Sequence, residues 1–185
     1  MDEESQGGGK SVAVLGLGNV LMGDDALGPT VVRRLLAMCE FGPGVSVLDI
    51  GTPGLDLTPY ILGLDALIIV DTVRSDAPAG TVRLYRKDDL LATPAQPRLS
   101  PHDPGLKEAI LLLELHGQAP AEVLLVGIVP ERVEIGTELS SPVRDALVRA
   151  ESEVLRELER LGVAVAPKAI PAAPDLWWVQ PADPM

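Results

Sequence analysis

The chain lacks a second cysteine, a surplus of basic residues and a long apolar run. Its 185 residues include one cysteine, Cys39, so no disulfide can form within the chain, which fits a reducing compartment. Lysine and arginine number 15 against 27 acidic residues, giving a formal net charge of -12. This balance argues against nucleic acid or an anionic membrane as the main partner, because both are negatively charged and bind basic side chains. It fits a cationic ligand or a basic peptide segment.

The apolar runs are too short to cross a bilayer. The longest are ALIIV and AILLLEL, against about 20 residues for a membrane-spanning helix. The first ten residues, MDEESQGGGK, are acidic and have neither the basic nor the apolar region of a secretory signal. We therefore expect a cytoplasmic protein with a flexible leader (1–10), one α/β domain (11–162) and a Pro- and Ala-rich tail (163–185).

Apolar runs and helical periodicity alternate along the predicted domain. SVAVLGL, VSVLDI, ALIIVDT and EVLLVGIV read as strands, and TVRLYR alternates apolar and polar residues as an edge strand does. Helical patterns lie between them, and the last helix starts at a capping signal, SSPVRD. The pattern predicts an α/β three-layer sandwich: a mostly parallel, twisted sheet of about five strands with helices on both faces, like the phosphorylase/hydrolase fold.

The stretch GLGNVLMGDDALGP, residues 16–29, looks at first like a glycine-rich phosphate loop. A dinucleotide fingerprint needs a third glycine where this chain has Leu21. Asp24 and Asp25 also lie at the start of the following helix, where they would repel a phosphate. One of the two can be explained as the cap of that helix. The other has no evident structural role.

Two carboxylates and a histidine are candidates for a metal site. Asp25 follows the first strand, Asp71 ends the apolar strand ALIIVDT, and His102 lies in the proline-rich loop TPAQPRLSPHDPG. If those two strands are neighbours, the aspartates share a crevice at the carboxyl edge of the sheet, and the loop can bring His102 over it. Such ligands suit nickel or zinc. Asp71 could equally cap a turn, and His102 could be a solvated loop residue.

Five segments in order resemble the hydrogenase maturation protease family, which removes the C-terminal extension from the large subunit of nickel-iron hydrogenases. LGLGNVLMGDDALGP resembles its opening glycine and acid motif, and LDIGTPGLDL its second strand and Gly-Thr turn. LIIVDTVRSDAPAGTVR, SPHDPGL and LLVGIVPERVEIGTELSSPV resemble its Asp-ending strand, histidine loop and late strand. The likeness covers roughly residues 12–162.

The resemblance implies an endopeptidase whose catalytic and metal-contacting residues are Asp25, Asp71 and His102. It also implies that the nickel is carried by the hydrogenase precursor, the partner, rather than held by the free enzyme. Hydrolysis could proceed through carbonyl polarisation or water activation by that metal, or with Asp25 or Asp71 as general base, in the manner of an aspartyl protease. From their positions, Gly51, Thr52 and Gly54 are expected to line the substrate groove.

Two other functions remain compatible with the residues alone. One is a nucleotide-binding α/β enzyme, which would bind its ligand at residues 16–18. The other is a nickel-binding maturation factor without catalytic activity, which would use the same three side chains.

Overall fold

The computed structural model describes residues 9–53, 57–92 and 103–179. The strands are β1 (Val12–Leu17), β2 (Cys39–Phe41), β3 (Val45–Gly51), β4 (Ala66–Thr72), β5 (Val82–Arg86), β6 (Glu122–Ile128) and β7 (Val165–Pro167). A 3-10 helix (Gly23–Ala26) precedes α1 (Leu27–Met38), and the other helices are α2 (Thr58–Ile61), α3 (Lys87–Ala92), α4 (Asp103–Leu115) and α5 (Ser141–Arg160).

The main sheet has five strands in the order β3-β1-β4-β6-β5. The first four are parallel, and β5 runs antiparallel to β6 as the edge strand that the sequence predicts. Every residue of β1 and β4 is buried, which explains their continuous apolar runs. Because the strands are parallel, the segments that follow β1, β3, β4 and β6 leave from one edge of the sheet, here called the carboxyl edge.

Each face of the sheet supports its own apolar core. One core joins the sheet to α1 and α5, with Val31, Leu35 and Val154 fully buried. The other joins it to α2, α3 and α4, with Ile61 and Ile110 fully buried. The three-layer sandwich expected from the sequence is confirmed.

A second, two-stranded sheet pairs β2 with β7 in antiparallel orientation. α1 ends at Met38, and Cys39 begins β2, where it is half-buried. The chain after β7 then packs on α1: the Lys168 amide donates to the Met38 carbonyl at 2.8 Å. Further along, Trp178 is 5% exposed, with Trp177 packed edge-on against it. Within the described ranges, no helix has the length and hydropathy needed to span a membrane.

Candidate active site

Glycines allow the 3-10 helix to lie against the carboxyl edge. Gly18 has a φ of +138°, and a Cβ there would lie 1.8 Å from the Asp25 carbonyl oxygen. At Gly28, in the first turn of α1, a Cβ would lie 2.1 Å from the Leu17 carbonyl oxygen and 2.5 Å from that of Val70. The glycines therefore permit close packing of backbone on backbone, and this packing positions Asp24 and Asp25.

Asp25 is buried at the carboxyl edge, with 5% of its surface exposed. Its Oδ2 accepts a hydrogen bond from the Asn19 amide at 2.8 Å, and its Oδ1 accepts one from the Thr72 hydroxyl at 3.0 Å. Both donors are neutral. A carboxylate can accept about four hydrogen bonds, so Asp25 keeps acceptor capacity for a further ligand.

Asp71 lies at the end of β4 and is 1% exposed. Its Oδ1 accepts a hydrogen bond from the Thr72 amide at 2.7 Å. Thr72 therefore donates to both aspartates, through its amide to Asp71 and through its hydroxyl to Asp25. The sequence argument required the first strand to neighbour the strand that ends in Asp71. β1 does pair with β4, and the two carboxylates share the edge.

Asp24 has a different role from its neighbour. It is fully buried, and its carboxylate accepts four hydrogen bonds from the segment between β6 and α5. The amides of Glu131 and Arg132 and the hydroxyl of Ser140 donate to Oδ2, while the Ser140 amide donates to Oδ1, at 2.6 to 3.0 Å. The expectation that one of the two aspartates caps the following helix is wrong. Ala26 is the N-cap of α1, with no side-chain capping bond.

Asp49 lies two residues before the end of β3, beside the expected substrate groove. It accepts from the Arg33 guanidinium at 3.1 Å and from the Gly51 amide at 3.2 Å. Gly51 has a φ of +56°, and its carbonyl accepts from the Gly18 amide at 3.0 Å, which joins the turn after β3 to the turn after β1. Thr52, the next expected groove residue, is exposed. Gly54 lies outside the described residues.

The histidine expected in the site, His102, also lies outside the described residues. The chain's other histidine, His116, is exposed just after α4, and its Nδ1 lies 2.7 Å from the Leu112 carbonyl oxygen. The chain re-enters the sheet at β6 soon after, so His116 lies by the opposite edge. In the part of the chain that the structure describes, no three His, Cys, Asp or Glu side chains form a group that could hold a metal.

Sequence reasoning missed Thr72 and Asn19 as partners of the site. A signal for Thr72 was present: alternation along β4 places it on the same face as Ile68 and Val70, which pack toward α1. The Asn19 contact involves a backbone amide, which any residue there could supply. No side-chain pattern could have indicated it.

Comparisons with known proteins identify relatives. The family model for hydrogenase maturation proteases matches residues 29–157. The hydrogenase 2 maturation protease of Escherichia coli is 33% identical over 159 residues, covering 85% of this chain and 96% of its own length. The hydrogenase expression/formation protein HoxM of Azotobacter vinelandii is 33% identical over 157 residues, covering 84% of this chain and 76% of its own.

Solved structures agree with the sequence comparisons. The hydrogenase maturating endopeptidase HybD from Escherichia coli superposes with a TM-score of 0.78 at 31% identity, covering 85% of this chain and 98% of that one. The [NiFe] hydrogenase maturation protease HybD from Thermococcus kodakarensis gives a TM-score of 0.64 at 29% identity, over 80% and 97% of the two chains. The family expected from the sequence is therefore confirmed: the chain belongs to the hydrogenase maturation proteases and is an endopeptidase.

Proposed function

We propose that Asp25, Asp71 and His102 together contact the nickel of a nickel-iron hydrogenase large-subunit precursor while its C-terminal extension is removed. The observation that carries this proposal is the environment of Asp25. Its buried carboxylate has neutral donors only, among the described residues, and shares Thr72 with the carboxylate of Asp71. Burying a carboxylate away from any positive charge is costly, and a cation arriving with the substrate would compensate for it.

The donor set fits such a cation. Carboxylate oxygens and an imidazole together suit a divalent transition metal, and three protein ligands leave coordination positions open for groups of the precursor. Two routes to hydrolysis are compatible with this arrangement. The substrate's metal can polarise the scissile carbonyl or activate water, or Asp25 or Asp71 can act as the general base.

The same carboxylates count against the nucleotide-binding alternative. Asp24 and Asp25 are buried at the N-terminal end of α1, where a phosphate would otherwise bind. The alternative of a maturation factor without catalytic activity is disfavoured by the family, whose relatives are proteases. We propose that the groove for the substrate peptide is lined by Gly51, Thr52 and Gly54.

The precursor is the proposed partner because the relatives are hydrogenase maturation proteases. The cytoplasm is the proposed location, as the single cysteine suggests. Separating whole cells into compartments and probing each for the protein would test that location.

The chain's two histidines provide a matched test of the site. We expect His102→Ala to reduce processing of the nickel-loaded precursor by about 100-fold or more, the range for loss of a catalytic or metal-contacting group. His116→Ala, at the opposite edge of the sheet, should process at the wild-type rate. The measurement is single-turnover cleavage followed by gel shift, with thermal unfolding of both variants as the folding control. Equal rates for the two variants would remove His102 from the site.

A further inference from the structure

Beyond the site itself, two loops at the carboxyl edge present apolar side chains to solvent. Leu21, in the turn after β1, is 53% exposed, and Val133 and Ile135, in the segment after β6, are 45% and 91% exposed. These three side chains are here called the loop patch. Neither core cluster includes any of them, so packing within the described chain does not explain them.

The loop patch is held in place by hydrogen bonds. The Gly136 amide donates to the Leu21 carbonyl at 3.0 Å, and the Gly23 amide donates to the Gly136 carbonyl at 2.8 Å. The buried carboxylate of Asp24 fixes the start and the end of the segment after β6 through Glu131 and Ser140. Because the backbone of this exposed apolar surface is already ordered, binding a partner costs less conformational entropy there than at a flexible loop.

The patch also adjoins the proposed site. Asp24 anchors it and Asp25 is the next residue, so the same 3-10 helix carries the site on one side and supports the patch on the other. A pocket of about 330 Å³ opens beside Ile135 and is lined by Gly23, Arg132 and Glu138 among others. A precursor chain that places its nickel against Asp25 would lie within reach of this surface.

The charge around the patch is negative. Glu131, Glu134 and Glu138 are exposed in the same segment, against the single base Arg132, which lies 3.9 Å from the Glu134 carboxylate. Exposed apolar side chains with charged residues at their margin are typical of protein interfaces. Complementarity then requires a partner surface with an apolar centre and basic margins.

We propose that the loop patch docks the hydrogenase precursor, through an apolar surface with basic residues at its margin, and so contributes to substrate selection. This inference rests on the proposed action on that precursor. Docking outside the site contributes to binding without touching the reacting bond. Its loss should therefore raise KM and leave kcat unchanged.

Two variants test the patch, each with a control at the opposite edge of the sheet. Ile135→Asp removes the most exposed apolar side chain, and its control is Leu115→Asp at the end of α4, where Leu115 is 83% exposed. Glu134→Lys reverses a charge beside the patch, and its control is Glu159→Lys near the end of α5, also exposed. All four positions are at the surface, so thermal unfolding should match wild type within a few degrees.

With nickel-loaded precursor, we expect Ile135→Asp to raise KM about tenfold with kcat within twofold, and both controls to behave as wild type. Glu134→Lys should raise KM about threefold at low salt, with the difference shrinking at high salt. An unchanged KM for Ile135→Asp would overturn the proposal, as would a fall in kcat alone. So would a change in oligomeric state by sedimentation velocity, which would make the patch a contact between copies of this chain.

The affinity of nickel-free precursor separates this proposal from the function on which it rests. Docking predicts that Ile135→Asp weakens binding of that precursor about tenfold, whether or not the enzyme cuts it. Cleavage of nickel-free precursor would contradict the sensing of nickel and leave the docking result standing. Equal affinities of wild type and Ile135→Asp would contradict docking and leave the site untouched.

Discussion

Buried carboxylates at the two edges of the parallel sheet accept hydrogen bonds from different kinds of donor. At the edge opposite the site, Glu157 of α5 is 5% exposed and accepts hydrogen bonds from Arg86 and Arg160, and Arg160 also pairs with Glu122. At the carboxyl edge, Asp24 and Asp25 accept only from neutral donors, within the described residues.

The consequence is visible in the pKa of Glu157. Burial raises it, but hydrogen bonds and charge attraction from Arg160 and Arg86 outweigh burial and lower the pKa from 4.5 to about 2. The negative charge at that edge is compensated within the fold. At the carboxyl edge, Asp24 is compensated by four donors and Asp25 by two. The difference teaches that Asp24 and Glu157 serve the fold, while Asp25 keeps acceptor capacity for a ligand.

The largest expected effect is the loss of processing in Asp25→Asn. Asparagine can accept from the Asn19 amide and donate to the Thr72 hydroxyl, so the fold should be retained. The lost negative charge should reduce cleavage of the nickel-loaded precursor by about 100-fold or more. Initial cleavage rates and thermal unfolding check the two parts. Cleavage near the wild-type rate would place Asp25 among the structural carboxylates.

Asp24→Asn should show the opposite result, a loss of stability with processing largely retained. Both oxygens of Asp24 face backbone N–H groups, so the amide group of asparagine would meet a donor in either orientation. We expect the free energy of unfolding to fall by roughly 2–4 kcal/mol. Processing by the folded protein, measured in the cold, should fall far less than in Asp25→Asn. Denaturant unfolding is the measurement, and a stability equal to that of Asp25→Asn would erase the distinction.

Glu157→Gln tests the compensated edge through pH. The folded pKa of about 2 lies below the ordinary 4.5, so the stabilisation is complete above about pH 5 and disappears as the pH falls toward 2. Because both arginines are half-exposed and screened by solvent, we expect the variant to be about 1–2 kcal/mol less stable near pH 7. Urea unfolding between about pH 7 and pH 2, with Glu159→Gln as control, should show the difference in the free energy of unfolding between wild type and Glu157→Gln shrinking as the pH falls. A stability difference that does not change with pH would contradict the view that the two arginines stabilise an ionised Glu157.

Thr72→Val should have the smallest effect. The substitution keeps the hydrogen bond from the backbone amide of residue 72 to Asp71 and removes the hydrogen bond from the hydroxyl to Asp25. With Asp25 less firmly positioned, processing should fall roughly five- to tenfold, corresponding to about 1 kcal/mol. Thr72→Ser keeps the hydroxyl and should restore most of the rate. A valine variant as active as wild type would show that this contact does not position the site.

Much of the fold could be predicted from the sequence because its signals are local. Buried parallel strands appear as unbroken apolar runs, and helices such as α5 carry a regular apolar stripe. The meeting of Asp25 and Asp71 was also predictable, since parallel strands end at a common edge. The pairing of β2 with β7 was not, because three-residue strands more than 120 positions apart leave no periodic signal.

The role of Asp24 was hidden for a related reason. Its partners, Glu131, Arg132 and Ser140, are 107 to 116 residues away, and most of the donors are backbone amides. A helix cap was the local explanation, and tertiary contacts replaced it. Ser140 shows the same effect. The sequence marks it as a capping residue and it does precede α5, but its hydroxyl donates to Asp24 instead of accepting from its own helix.

The central claim is that Asp25 and Asp71, together with His102, receive a metal brought by the substrate. The most direct measurement compares cleavage of nickel-loaded and nickel-free precursor by one enzyme preparation whose own metal content has been determined. We predict that the enzyme purifies with far less than one metal per chain, that it cuts the loaded precursor, and that it leaves the nickel-free precursor intact. Equal cleavage of both precursors, or one metal ion purifying with each chain, would contradict the claim.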